Sequence, residues 1–301
     1  MERRIAVAAV LMLFLAGAGT ARAQQLEPRA YSPAPIDLNI FGIAAYYTTG
    51  NTLTDPTAPV QNIHSRIDQV MPYYGRTFGL FGRQASITAA VPMADAEVTG
   101  DVFAQGRSID RTGLMDPQLR FAANLIGGPA LKAGEFFKRT PETTLGMSVM
   151  VNVPLGQYDP IKLINLGTNR WAVKPELGLS HPVGDWSFEL YAGVWLFESN
   201  DEYFGGKVRR QDPLESYQAH VVYELRRHLW LAFDYTYFRG GETWLDGVNQ
   251  HDRTSNSRAG ATVSFPVGKG RSLKATWARG VSTRVGSDFD TLGAAWQMTW
   301  F

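Results

Sequence analysis

Hydrophobic and polar side chains alternate with a period of two along most of the chain. Between residues 144 and 153 every second side chain from Leu145 to Val153 is apolar, and most of those between them are small or polar. Between 186 and 197 the even positions from Trp186 to Leu196 share one apolar face. Alternation over about ten residues is typical of a strand with one apolar and one polar face, and strands of about 9–11 residues can span a bilayer.

Segments of this kind recur along the whole chain. We identify twelve, at residues 38–48, 61–71, 78–91, 113–125, 142–153, 170–181, 186–198, 214–226, 229–239, 254–266, 271–282 and 289–301. A soluble β-sandwich or propeller would show shorter strands at closer spacing. The pattern therefore predicts an all-β fold, an antiparallel transmembrane β-barrel of about 12 strands of the outer-membrane type, over residues 37–301.

An even strand number places both termini on the periplasmic side, so connector lengths should alternate. Short periplasmic turns are expected at 72–75, 182–185, 226–228 and 268–270, and external loops at 49–59, 92–112, 154–169, 199–213, 240–253 and 283–288. The segment 127–141 is long for a periplasmic turn, and 131–138 could form a helical piece.

The N-terminus has the pattern of a secretory signal peptide. Arg3 and Arg4 precede an apolar stretch at 5–16, and Ala-Arg-Ala at 21–23 is a cleavage sequence. A membrane anchor is the alternative, but the apolar run at 5–19 is short for a helical span of about 20 residues. We expect a signal peptide at 1–23, cleavage between Ala23 and Gln24, a short N-terminal extension at 24–36, and a Gram-negative outer-membrane location.

Composition excludes several function classes. The 301 residues carry a net charge of +1, with 19% charged residues and no Cys, against about 25% charged residues in ordinary globular chains. No basic face suggests nucleic-acid binding, and a thiolate metal site or cysteine nucleophile is excluded. The mean hydropathy of −0.17 argues against a multi-span helical protein. The five His form no metal-binding motif, so we expect no metal, no cofactor and no catalytic residues.

In a membrane barrel the polar face of each strand lines the lumen. The candidate lumen-lining residues are Arg66, Asp68, Arg120, Lys174, Glu176, Glu189, Tyr191, Trp195, Asp234, Arg258 and Lys274; Phe41 and Tyr47 are also placed inward. One hypothesis is a salt-bridged, partly plugged interior, because a narrow lumen cannot hydrate all these charges. The other is a solute path. With Asp116 added to this set, five cations face five anions, which predicts weak charge selectivity.

The connector at 154–169 contains four backbone breakers, Pro154, Gly156, Pro160 and Gly167. Such a segment is a structured loop rather than a free strand. Its candidate constriction residues are Tyr158, Asp159, Lys162, Asn165, Asn169 and Arg170. If they close hydrogen bonds as the loop folds inward, the loop narrows the pore; the alternative is a surface loop braced on itself.

Two further features concern partners. Aromatic residues cluster near predicted strand ends, as in the girdles that contact lipid at both membrane interfaces. The chain ends on Phe301, and a terminal aromatic suggests recognition by the barrel-assembly machinery, although the apolar alternation of the last strand is out of phase with it.

A barrel-wall lipid hydrolase is the least favoured function, since the chain has no close His-x-Ser pair.

Three stretches resemble a known family. They are GLMDPQLRFAANLIGGPAL at 113–131, PLGQYDPIKLINLGTNRW at 154–171 followed by KPELG, and GGET with DG at 240–247. They resemble the outer-membrane "MetA-pathway of phenol degradation" transporter family. The resemblance implies an outer-membrane barrel and a channel for small organic, apolar or aromatic, solutes, with no established binding residues.

The expected function is therefore passive, diffusive passage of small organic solutes across the outer membrane. The rival is a structural barrel with a sealed lumen. The outline is also similar to the long-chain fatty-acid transporter class, which carries a plugging N-terminal segment. Here residues 24–35 are short for a plug, so we expect no such plug in this chain.

Overall fold

The computed structural model describes residues 26–53, 60–102, 105–226 and 228–301. The predicted signal peptide and the bond between Ala23 and Gln24 lie outside these ranges. The elements are β1 Asn39–Leu53, β2 Val60–Leu80, β3 Arg83–Ala90, β4 Met93–Val102, β5 Gln105–Leu114, β6 Gln118–Ile126, α1 Ala133–Phe136, β7 Thr144–Asn152, β8 Ala172–Val183, β9 Trp186–Phe197, β10 Asn200–Tyr203, β11 Lys207–Gln211, β12 Leu214–Arg226, β13 Leu229–Gly240, β14 Thr243–Leu245, β15 Val248–Asn249, β16 Thr254–Gly268, β17 Arg271–Ser282 and β18 Gly286–Trp300.

Twelve of these strands form one closed antiparallel sheet, in the order β1-β2-β3-β6-β7-β8-β9-β12-β13-β16-β17-β18. The first and last strands close it, with Asn39 opposite Trp300 and Leu53 opposite Gly286. Closure matters because the bilayer core offers no water to unpaired backbone groups, so a spanning sheet can have no free edge. The predicted twelve-stranded barrel is confirmed.

Strand β2 and the hairpin of β4 and β5 extend the sheet beyond the predicted segments. Strand β2 pairs with β3 near the end predicted to be periplasmic and with β4 near the end predicted to be external. The partner changes opposite Val91 and Pro92, and Pro72 lies at this junction, where the Val91 amide donates to its carbonyl. The turn predicted at 72–75 is therefore wrong, and the chain turns at Phe81 and Gly82 instead. Much of the loop predicted at 92–112 is the β4–β5 hairpin.

Two of the connectors predicted to be external contain strands of their own. Strands β10, β11, β14 and β15 form a separate four-stranded sheet from two of the predicted external loops. On the periplasmic side, helix α1 lies inside the segment predicted to hold a helical piece, although it has only four residues.

The burial pattern is inverted relative to a soluble protein. Large apolar side chains such as Leu190 and Phe233 point outward and are 60% exposed in the isolated chain, whereas Glu189, His220 and Ser148 on the inner face are 1% exposed. This arrangement fits a wall that meets lipid outside and polar groups inside. No helix in the described ranges is long and apolar enough to cross a membrane.

The N-terminal segment, residues 26–38, lies inside the barrel. Tyr31 is 3% exposed and packs directly on Gly146 and Gly178, where a Cβ on either glycine would overlap its ring. These glycines are paired on neighbouring strands β7 and β8, so together they leave a slot in the inner wall. Leu26 fits against Gly260 in the same way. Residues 26–35 thus lie in the lumen. The expectation that the segment 24–35 is too short for a plug is therefore wrong for these residues.

We expect Leu190→Arg to lower the free energy of unfolding from lipid vesicles by about 2–4 kcal/mol, because a cation near the bilayer midplane cannot be hydrated. Urea titration followed by tryptophan fluorescence measures the change. The matched control is Phe81→Arg at a periplasmic turn, where Phe81 is 97% exposed. Equal losses in the two variants would contradict the assignment of Leu190 to the lipid face.

We expect Gly178→Val to expel the N-terminal segment, since the new side chain takes the place of the Tyr31 ring. The sequence has no Cys, so Ser32→Cys supplies one reactive thiol inside the lumen. A large polyethylene-glycol maleimide should label that thiol slowly in the Ser32→Cys protein and rapidly when Gly178→Val is added. Gly134→Val, at a glycine with open space around it, should leave the slow rate unchanged. Fast labelling without Gly178→Val would show that the segment is not held.

Candidate functional site

Most of the candidate lumen residues lie on the inner face of the barrel. Those that point inward are Arg120, Lys174, Glu176, Glu189, Tyr191, Trp195, Asp234, Arg258 and Lys274. Each lies at the parity expected from the alternation of its strand, because consecutive residues of a strand point to opposite faces.

The inner and outer faces of strand β2 are exchanged relative to the prediction. Ile63 and Ser65 are buried, and Ile67 and Gln69 line an internal cavity. Arg66 and Asp68 therefore point outward, where they pair with each other at 3.3 Å with half-exposed side chains. Arg66 also lies over the ring of Tyr47, on the outer face of β1. The predicted inward positions of Arg66, Asp68, Tyr47 and Phe41 are corrected; Tyr46 and Thr48 line the interior instead.

The reason lies in the length of these strands. The β1–β2 pair continues well beyond the residues needed to span a bilayer, so its external part has polar residues on the outer face. Apolar residues also occur on both faces of β1. Since a slip of one residue exchanges the two faces, the weak alternation in this region led to the wrong assignment.

A charged cluster fills the lumen beside Tyr31. The Lys174 ammonium lies 2.8 Å from Glu176 Oε2, and the Arg120 guanidinium lies 3.9 Å from Glu176 Oε1. The Tyr31 hydroxyl contacts Ser148 at 2.8 Å and donates to Glu176 Oε1 at 3.0 Å. Arg120 also lies over the Tyr31 ring, 5.1 Å from its centre. The segment thus joins the side chains of β6, β7 and β8 into one network.

Glu189 holds the next part of the segment. Its Oε2 accepts the backbone amide of Arg29 at 2.7 Å, and its Oε1 accepts the hydroxyls of Ser32 and Ser180 at 3.2 Å each. The Tyr191 hydroxyl donates to the same carboxylate and accepts the amide of Ala30 at 3.2 Å. A buried carboxylate is tolerated when its oxygens are hydrogen-bonded in this way.

A histidine–aspartate pair lies on the adjoining wall. His220 Nδ1 donates to Asp234 Oδ1 at 2.6 Å, and Thr262 donates to Asp234 Oδ2 at 2.9 Å. Both oxygens of Asp234 are therefore engaged. The His220 ring also packs against Tyr191, with ring centres 4.9 Å apart.

The predicted constriction loop folds over the lumen and is held by a carboxylate from the wall. Asp116, in the break between β5 and β6, accepts the amides of Gly156 and Thr168 at 3.0 Å each, and the Thr168 hydroxyl donates to it at 2.7 Å. Gly156 and Gly167 pack so closely that a Cβ on either would clash with the other's backbone. This contact explains the two glycines.

Within the loop, Asn165 closes a turn by accepting the Asp159 amide and donating to the carbonyls of Asp159 and Lys162. Lys162 and Asp159 form a partly exposed ion pair at 3.4 Å. Two of the predicted constriction residues, Tyr158 and Asn165, line the interior cavity, but Asp159 and Lys162 serve the turn.

The end of the loop is attached to the external sheet. Asn200 donates to the Tyr158 hydroxyl at 2.9 Å and contacts Asn169 at 3.2 Å. Arg170 is buried, donates to Gln211, and stacks over the Phe197 ring, 4.6 Å from its centre. Asn169 and Arg170 therefore fix the loop. The sequence did not indicate Asn200 as the partner of Asn169 and Tyr158, or Gln211 as the partner of Arg170.

An internal cavity of about 210 Å³ lies between the loop and the N-terminal segment. Leu26 and Pro28 of the segment border it on one side, and the loop's Ile164, Leu166 and Tyr158 border it on another. The barrel wall supplies most of the rest of the lining, which includes Ile67, Met71, Met115, Phe289, Arg258 and Lys274. Arg209 of the external sheet also lines the cavity. Among the described residues, no cluster of His, Asp and Glu could hold a metal ion.

Solved structures with the same architecture are outer-membrane barrels. An outer membrane channel from Pseudomonas putida superimposes with a TM-score of 0.79 at 19% identity, over 92% of this chain and 100% of that one. The β domain of the Bordetella autotransporter BrkA gives 0.53 at 12% identity, over 88% and 100%. The transport unit of the autotransporter AIDA-I from Escherichia coli gives 0.53 at 7% identity, over 100% and 98%. At these identities the likeness shows the fold alone.

No curated protein matches this sequence. A family model does, and it covers residues 46–298, which include the 154–171 loop and nearly the whole barrel. Since the match extends over most of the chain, this protein belongs to the family described as "Putative MetA-pathway of phenol degradation".

Proposed function

We propose that this protein is an outer-membrane channel for the passive passage of small organic solutes, apolar or aromatic in character. The observation that carries the proposal is the cavity between the inward loop and the N-terminal segment. Ligand sites are concave and mostly apolar, with a few placed polar groups, and this cavity has that composition inside a barrel wall.

Passage requires the N-terminal segment to leave its position. The segment fills the lumen from Leu38 to Leu26, and the polar contacts of Tyr31, Arg29 and Ala30 tie it to the wall. We therefore assign it the role of a removable plug on the periplasmic side of the cavity. Movement down a gradient needs no energy source, and the family association with phenol degradation supports an aromatic cargo.

The location and assembly of the protein follow from the same proposal. We assign residues 1–23 to a signal peptide that is cleaved between Ala23 and Gln24, and Phe301 to recognition by the barrel-assembly machinery. Membrane lipid and a small solute are the partners in the folded state. We assign no enzymatic role, and the sequence has no close His-x-Ser pair for a lipid hydrolase on the barrel wall.

A sealed structural barrel is the second candidate, and the pairing inside the lumen favours it. Glu176 joins Lys174 and Arg120, Asp234 joins His220, and Glu189 holds the segment. Breaking such buried pairs one partner at a time is strongly destabilising. If the segment never leaves, this interior is permanently closed.

We expect Gly178→Val to raise the rate of passage, because it removes the plug without changing the wall. The measurement uses vesicles with lipopolysaccharide in the outer leaflet, which slows direct crossing of the bilayer, and follows entry of labelled benzyl alcohol. Wild type and Gly134→Val should give equal, lower rates that still exceed protein-free vesicles. If the wild type matches protein-free vesicles, the sealed barrel is the correct function, whatever the rate through Gly178→Val.

A further inference from the structure

The N-terminal segment is attached to the barrel in two parts that differ in kind. We call residues 26–32 the head and residues 35–38 the stem. The head is held mainly by side chains of the inner wall, whereas the stem is held through its own backbone, directly before β1. This difference determines which part can move while the barrel stays intact.

The stem continues the pairing of β1 with β2. The Thr77 amide donates to the Leu38 carbonyl at 2.9 Å, and the Asp37 amide donates to the Thr77 carbonyl at 3.0 Å. Asp37 has a positive φ of 64°, a left-handed conformation that Asp adopts more readily than most residues, and the chain leaves the wall there. Up to Asp37 the stem is therefore an extension of the barrel sheet.

The side chain of Thr77 fastens the stem a second time. Thr77 is 2% exposed; its hydroxyl donates to the Pro35 carbonyl at 2.6 Å and accepts the Leu38 amide at 3.0 Å. The Ile36 amide donates to the Leu131 carbonyl at 2.9 Å, in the connector before β7. Each residue of the stem thus has a backbone hydrogen bond to the wall or to this connector.

Residues 33–34 join the two parts. Within the described part of the chain, neither Pro33 nor Ala34 forms a hydrogen bond with the wall. Proline fixes its own φ and has no amide hydrogen, and a residue that precedes proline is kept extended. In the sequence Ser-Pro-Ala-Pro at 32–35, rotation is therefore left mainly on the two sides of the peptide between Pro33 and Ala34.

The head is a compact unit. The Ala30 amide donates to the Glu27 carbonyl at 3.3 Å, and the Ser32 amide donates to the Arg29 carbonyl at 3.2 Å, so two turns close on each other. Its polar contacts with the barrel, described above, are made chiefly to side chains of β7, β8 and β9. Water can replace such contacts at modest net cost, and no hydrogen bond between strands has to break.

We propose that the segment is a hinged lid in which only the head moves. The stem stays bound to Thr77 and Leu131 in the closed and in the open state. The head swings about the Pro33–Ala34 peptide, out of its glycine slot and toward the end of the barrel predicted to be periplasmic. This inference rests on the proposed channel function and names the regulation of that channel.

Thr77 is the positioning residue of this lid. Loss of the stem would lengthen the free tether of the head from residues 33–34 to residues 33–38. The effective concentration of a tethered group falls with about the −3/2 power of tether length, so the head would return to its slot about fivefold less readily. Thr77 therefore sets how quickly the lid closes after a solute has passed.

The labelling of single thiols shows which part moves. The sequence has no Cys, so Ser32→Cys reports on the head and Ile36→Cys on the stem, each with and without Gly178→Val. With Gly178→Val, a large polyethylene-glycol maleimide should label residue 32 about tenfold or more faster, and residue 36 at a rate changed by less than about twofold, as expected for local opening. Any other combination, including faster labelling of both thiols or of neither, would overturn the hinge.

Thr77→Val tests the anchor, because it removes the two hydrogen bonds of the hydroxyl with little change of shape. Added to Gly178→Val, it should raise the labelling rate of Ile36→Cys about tenfold. Thr77→Ser keeps the hydroxyl and is the matched control, which should leave that rate unchanged. Equal rates in the two variants would show that Thr77 does not hold the stem. Heat-modified migration on gels confirms that each variant is folded.

Entry of labelled benzyl alcohol into vesicles separates this inference from the proposed function. Thr77→Val alone should raise entry about fivefold, since the lid closes more slowly, and Thr77→Ser should match wild type. Entry that Thr77→Val leaves unchanged overturns the positioning role of Thr77. Head-only labelling without solute entry through any variant supports the hinge and overturns the channel. Solute entry with both thiols labelled together leaves the channel intact and overturns the hinge.

Discussion

The whole structure depends on pairing every backbone amide and carbonyl inside the bilayer. Lipid offers these groups no partner, so the sheet must close on itself, and it does so through the fifteen-residue pairing of β1 with β18. Twelve strands give a narrow barrel, and alternation then sends half of the side chains into a space too small for bulk water. The polar inner face must be satisfied by its own neighbours, and the N-terminal segment supplies part of what the wall lacks.

The segment and the wall are complementary because the wall omits side chains where the segment passes. Gly146 and Gly178 receive Tyr31, and Gly260 receives Leu26. Polar groups surround these slots, so the backbone amides of Arg29 and Ala30 find acceptors on Glu189 and Tyr191. Above the segment, the loop held by Asp116 closes the other side and leaves the cavity. Segment, loop and wall together define the space in which a solute could be selected.

The sequence predicts the strands well because the period of two follows directly from the pleat. It also predicts the inner residues of β6, β8, β9, β13, β16 and β17, where apolar and polar positions are clearly separated. It fails on β1 and β2, whose external halves lie beyond the bilayer and keep no simple alternation. Pro72 and Gly75 suggested a turn, but Pro72 lies where β2 changes partner, a point that only the pairing of β3 and β4 reveals. The fit of Tyr31 on two glycines joins residues more than a hundred positions apart, which no local pattern indicates.

The central claim is that the described N-terminal residues are bound inside the folded barrel. Hydrogen–deuterium exchange of the Arg29 and Ala30 amides tests it most directly, because both donate to side chains of the inner wall. The account predicts exchange far slower than in a free peptide. Exchange of these two amides at the rate of an unstructured peptide would contradict it.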